Sequence, residues 1–147
     1  MVNAITGYNV WVTDQDAALE FYVGKLGLEV TADIDLGFMR WLTVSAPGQA
    51  APNLVLCPMS LANVDEAEAE AAKSLLAKGV LGAVFLTSDD VQAAHDRLVA
   101  DGVEVMQPPS EQPYGIDCAV RDPFGNQVRI AKLNPAPTGS ELAAAAG

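Results

Sequence analysis

Few residues in this chain are equipped for chemistry. Its one histidine, His95, its two cysteines, Cys57 and Cys118, and the polar side chains Glu111, Tyr114 and Asp117 are the candidates for proton transfer or nucleophilic attack. None of them stands at a spacing that pairs a nucleophile with a base, and no glycine-rich phosphate loop is present. The catalytic residues are therefore unknown at this level. His95 falls in a helical stretch beside Val91, Ala94 and Leu98. It reads either as a base with a displaced pKa or as a helix histidine with a packed edge and a wet tip. The cysteines are far apart and form no CxxC pair, so they predict neither a disulfide framework nor a zinc site. They read as small packed residues. Arg129 lies between Val128 and Ile130. It either orients an anionic group, such as a carboxylate, phosphate or enolate, or pairs structurally with one of the many acids.

Positioning these side chains falls to a repeated set of elements. Ile5–Val12 reads as a strand rich in β-branched and aromatic residues. Thr13 to Asp16 supply cap chemistry, and a helix from Ala17 to Leu26 is closed by Gly27. Leu28–Ile34, Phe38–Ser45 and Asn53–Cys57 read as strands. A connecting helix, Asn63–Lys78, carries Asp65, Glu66, Glu68 and Glu70 early and its lysines late, an acidic run that reads as a solvated face. The pattern then recurs: strand Ala83–Ser88, caps Asp89 and Asp90, helix Val91–Asp101, Gly102, strand Val103–Met106. A shift of 75 positions aligns Asp14 with Asp89, Gly27 with Gly102 and Val30 with Val105. Two strands follow, Asp117–Val120 and Gln127–Ala131, joined by the Asp122-Pro123-Phe124-Gly125 turn. Each half is a βαβββ unit, and neither can bury both faces of its sheet alone. The expectation is one α+β domain over residues 1–133, with module 1 at about 4–58, a linker helix at about 63–79 and module 2 at about 81–133. Residues 134–147 read as a flexible tail.

Composition narrows the partners. Of 147 residues, 50% are apolar and 18% charged, a globular balance. Nineteen acids against eight Lys and Arg give a net charge of -11, which argues against nucleic acid and against an anionic membrane surface. No apolar run approaches the ~20 residues of a membrane-spanning helix, and the N-terminus does not read as a signal peptide. A cytoplasmic protein is expected.

Several motifs together resemble the vicinal oxygen chelate superfamily of glyoxalases, extradiol dioxygenases and bleomycin-resistance proteins. They are Val12-Thr13-Asp14, Phe21-Tyr22, Leu26-Gly27-Leu28, Asp89, His95, Gly102-Val103-Glu104-Val105, Pro113-Tyr114-Gly115 and Arg121-Asp122-Pro123-Phe124-Gly125-Asn126. The resemblance implies a curved mixed sheet around a pocket, helices on the outer face, and a pocket often completed across a homodimer. Enzymes of the superfamily hold a divalent ion with His, Gln or Glu from four strands. Counting from the motifs, those positions fall near Gly7, within Asn53–Cys57, near Ala83 and at Arg129. No Asp, Glu or His occurs between Leu36 and Val64, and a guanidinium has no lone pair for a cation. No metal and no cofactor is expected.

Strand alternation selects what shares the pocket with Arg129. Gln127 points the same way, Asn9 and Trp11 share parity with Gly7, and Phe85 shares parity with Ala83. Phe38, Trp41 and Tyr114 complete an aromatic lining of the kind small-molecule sites use. The functional expectation is a metal-free binding protein that sequesters an antibiotic or aromatic metabolite, working as a homodimer. The alternatives are a lyase, isomerase or dioxygenase acting on a small carbonyl or aromatic substrate, and a scaffold that only dimerises.

Overall fold

The computed structural model describes residues 1–61 and 63–135. The expected tail lies outside them from residue 136 onward. Module 1 runs β1 (Gly7–Val12), α1 (Gln15–Leu19), β2 (Glu29–Asp35), β3 (Arg40–Ser45) and β4 (Asn53–Pro58). Module 2 runs β5 (Ala83–Thr87), α3 (Val91–Ala100), β6 (Val105–Gln112), β7 (Gly115–Arg121) and β8 (Gln127–Leu133). Between them lies α2 (Glu66–Ala77), whose Asp65 and Glu68 form a reciprocal capping box. The acidic residues of α2 are exposed, as a solvated face requires.

The two modules have the same strand order, β1-β4-β3-β2 and β5-β8-β7-β6, with the first strand parallel to the last. The fold is α+β with two similar modules. It differs from a single continuous sheet, because β1 and β5 are edge strands that do not share a ladder. The modules meet there instead through side chains. The Tyr8 hydroxyl reaches the Ala83 carbonyl at 3.5 Å, and Asn126 Nδ2 donates to the Trp11 carbonyl at 2.8 Å.

One hydrophobic cluster spans both modules, from Val12, Phe21, Tyr22 and Leu56 to Val84, Leu98, Val120 and Val128. The first helix departs from the expected uniform α-helix. Gln15–Leu19 is α-helical, capped by Asp14, and Glu20–Lys25 winds as a π-helix. Both consecutive aromatics of this stretch face inward, Phe21 and Tyr22 packing edge to face at 5.0 Å. The cap of α3 is Asp90, whose carboxylate accepts from the Ala93 N–H, so Asp90 and not Asp89 is the partner of Asp14. β6 continues through Pro108 and Pro109 to Gln112, beyond the expected Met106. An edge strand tolerates prolines, and its pairing slips between Gln107 and Ser110.

Candidate functional site

In module 1 the odd-numbered residues of β1 turn away from the core, where Val10 and Val12 are buried. The register sets Gly7, Asn9 and Trp11 beside Asn53, Val55 and Cys57 of β4, and Thr43 of β3 beside Val55. Asn9 and Trp41 line an open cleft of about 490 Å³ together with Thr31, Thr43 and Asn53. Its polar floor is ordered by a relay of hydrogen bonds. Thr31 donates to Asn53 Oδ1 at 2.6 Å, which leaves the 2.7 Å contact between Thr43 and Thr31 to be donated by Thr43. Asn53 Nδ2 in turn donates to the Ala50 carbonyl at 3.1 Å. Trp11 and Asn9 also line a smaller crevice of about 160 Å³ at the module junction, with Ala83 and Asn126.

In module 2, Phe85 and Ala119 flank Arg129 on neighbouring strands. Arg129 is not free. Its Nε and Nη2 donate to Asp117 Oδ2 at 2.9 and 2.6 Å, and Nη2 also donates to Gln107 Oε1 at 3.0 Å. Gln107 Nε2 donates to Asp117 Oδ1 at 2.9 Å, and the Tyr114 hydroxyl donates to Asp117 Oδ2 at 2.8 Å. Burial pushes the Asp117 carboxyl upward, but the hydrogen bonds from Arg129, Tyr114 and Gln107 outweigh it and hold the pKa below the usual carboxylate value. The same bond to Asp117 raises the Tyr114 hydroxyl. Arg129 therefore sits inside a closed network of four side chains, its charge matched by a carboxylate only 1% exposed.

The other expected site residues are more scattered. Gln127 shares the face of Arg129, yet its Nε2 donates to the Gly79 carbonyl at 3.1 Å, tying β8 to the end of the linker. Phe38 is 78% exposed in the turn between β2 and β3. Phe85 is 74% exposed beside another cleft, between the modules. The structure thus gathers Asn9, Trp11 and Trp41 on one sheet, and Phe85 and Arg129 on the other, with Tyr114 in the turn between β6 and β7. Of the acid–base candidates, only Tyr114 and Asp117 touch. His95 Nδ1 lies 3.0 Å from its neighbour Asp96 on α3, and Glu111 is exposed on β6. Cys57 and Cys118 are buried free thiols whose pKa burial pushes up, which leaves them poor nucleophiles.

Residues that the sequence reading passed over are Thr31, Thr43, Asn53 and Gln107. Thr43 and Asn53 were within reach of the alternation argument, since both share a face with Trp41 or Gly7. Gln107 and Thr31 stand at register slips, where parity fails.

The positions counted for a divalent ion do not make a donor set. Gly7 has no side chain, and a Cβ there would collide with the Asn53 carbonyl oxygen of the paired strand. Ala83 offers no lone pair. Arg129 is a cation already bound to Asp117. Among the described residues, no three His, Cys, Asp or Glu side chains gather. Among the same residues, no helix is long and apolar enough to cross a membrane.

Comparison with known proteins places this geometry. An uncharacterized protein of Shewanella frigidimarina is 30% identical over 136 residues, covering 91% of this chain and 96% of its own. The crystal structure of UcmS2 superimposes with a TM-score of 0.82 at 34% identity, covering 89% of this chain and 98% of that one. That of TnmS3, an antibiotic binding protein from Streptomyces sp. CB03234, gives 0.72 at 28% identity, covering 90% and 98%. A family model for the Glyoxalase/Bleomycin resistance protein/Dioxygenase superfamily matches residues 4–130. With its paired βαβββ modules and that match over nearly all the described residues, the chain belongs to the glyoxalase/bleomycin resistance protein/dioxygenase superfamily, the vicinal oxygen chelate fold.

Proposed function

We propose that this protein is a metal-free binder of a small aromatic molecule, with Trp41 and Asn9 as its principal contacts. The observation that carries the reading is the occupancy of the superfamily's ligand positions. Gly7 cannot accept a side chain, Ala83 has none to offer, and Arg129 is neutralised by Asp117. What remains on the first sheet is an aromatic wall over a hydrogen-bonded polar floor, which suits stacking with directional polar contacts. The likeness to an antibiotic binding protein over nearly the whole chain supports the same conclusion. Sequestration of an antibiotic or a related aromatic metabolite is the function we assign.

The open sheet faces support a homodimer. Trp41, Ile34 and Phe85 are 38, 50 and 74% exposed, apolar surface that a second copy would cover. A second copy laid against these faces would close the cleft of Asn9 and Trp41. The two buried free thiols fit a cytoplasmic setting, where cysteines stay reduced. A catalytic role finds less support, because the touching pair is poised the wrong way. Asp117 is held ionised by four hydrogen bonds, and Tyr114 is held protonated.

The test is a thermal-shift screen of polycyclic aromatic antibiotics and aromatic acids, followed by calorimetric titration of the hits. A binder at 100 times its Kd should add about 2.7 kcal/mol, and Trp41→Ala should abolish that gain without changing the unliganded Tm by more than a few degrees. Stoichiometric, tightly held divalent metal in protein purified without chelator, together with turnover that depends on it, would overturn the reading.

A further inference from the structure

We infer that the cleft between the two modules is a second site, selective for an aromatic or alkyl molecule bearing a carboxylate or similar anion. The cleft measures about 390 Å³, within the roughly 300–1,000 Å³ of small-molecule sites. It lies between the end of the first helix, the β3–β4 loop, the β5 edge and α3. Its floor is apolar, built by Leu26, Leu28, Leu98 and Ile130. Its charged lining residues are Lys25 and Arg97.

Charge is what makes this cleft unlike the rest of the surface. The chain carries 19 acids and only 8 Lys and Arg, yet no Asp or Glu lines this cleft. Arg40, Lys73, Arg121 and Arg129 all have carboxylate partners. Among the described residues Lys25, Lys78, Arg97 and Lys132 form no ion pair, but Lys132 lines clefts together with Asp89, and only Lys25 and Arg97 share a cleft without acids. The Lys25 ammonium donates at 3.3 Å to the neutral Asp101 carbonyl. Two uncompensated cations at an apolar hollow match an amphiphile whose anion stays at the rim while its hydrocarbon part enters. Ser88, Thr87 and Gln49 add polar atoms to the lining. The site is distinct from the cleft of Asn9 and Trp41, and does not depend on the function assigned to that cleft.

The experiment compares naphthalene-2-carboxylate with the neutral naphthalene-2-methanol by calorimetric titration at low salt. The wild-type chain should favour the carboxylate. The double variant Lys25→Gln/Arg97→Gln should weaken the carboxylate by ~10-fold or more, the worth of one charge-assisted hydrogen bond, and leave the alcohol within ~2-fold. Because both side chains lie at the surface, an unchanged far-UV spectrum and Tm will show that the variant folds. Trp41→Ala serves as the second variant and should leave carboxylate affinity unaltered. Equal affinity for acid and alcohol, full carboxylate affinity in the double variant, or no binding of either compound at millimolar concentration would overturn the inference. Carboxylate binding lost in Trp41→Ala alone would also overturn it, while leaving the first cleft's assignment in place.

Discussion

Removing the Asp122 carboxylate strands a whole turn. Oδ1 accepts from the backbone N–H groups of Phe124, Gly125 and Asn126, and Oδ2 accepts from the Tyr22 hydroxyl at 2.8 Å and from Asn126 Nδ2 at 2.7 Å. These groups are almost all buried, so Asp122→Ala should cost roughly 3–5 kcal/mol in urea unfolding. Tyr22→Phe removes one of the five bonds and should cost about 1–2 kcal/mol. At Asp117 the effect is a pH dependence. Its folded pKa lies below the unfolded value of ~3.9. The unfolded chain therefore takes up a proton first as pH falls, and the Asp117 contribution is complete well above pH ~4 and is lost through the folded pKa. In Arg129→Met the pairing that holds the carboxylate ionised is gone. The acid limb of the urea midpoint, from about pH 5 downward, should become shallower, and an unchanged slope would contradict the network. Parity placed Arg129 and Gln127 on one face. It could not show that Asp117 would reach Arg129 from β7, because the register between strands is not written in either strand alone.

At the scale of the element, caps and periodicity were legible and irregularities were not. Asp14, Asp65 and Asp90 all cap helices through their side chains. The cap segments of Asp14 and Asp90 were readable locally, whereas Asp65 was expected inside a helix from Asn63 that in fact begins at Glu66. Asp90→Ala should cost about 1 kcal/mol, whereas Asp89→Ala should stay within ~0.5 kcal/mol. Thermal unfolding of the two variants separates them. Gly27 and Gly102, the repeated stops, both adopt positive φ, 78° and 76°, which is why a glycine recurs there. The π-helical Glu20–Lys25 stretch leaves no local signature, because its winding is set by where two neighbouring aromatics must point. The extension of β6 through Pro108 and Pro109 was hidden for a related reason. Proline argues against a strand until the strand is known to lie on an edge.

For the whole molecule, the repeat announced two modules, but only tertiary contacts reveal how firmly they are joined. Tyr22 of the first helix bonds to Asp122 of module 2, Asn126 bonds to the Trp11 backbone, and one apolar cluster runs across both. Unfolding should therefore be a single transition. Far-UV circular dichroism, which reports both modules, and fluorescence of Trp11 and Trp41, both in module 1, should give coincident urea curves. Separated curves would mean that the modules melt independently. The aromatic cleft was legible only in part. Asn9, Trp11 and Trp41 lie on one sheet, while Phe85, Gln127 and Arg129 lie on the other and Phe38 and Tyr114 in turns. A turn residue has no fixed parity, and alternation along a strand does not say which sheets face one cleft.

The close approach of β1 to β4 at Gly7 limits what that position can carry. A histidine introduced there would meet main-chain atoms of Asn53, which cannot rotate aside as a side chain can. Placing an ion-holding residue at that point thus requires the strands to separate first. A single substitution at Gly7 is therefore not enough to furnish that position with a donor; the strand pairing must change with it.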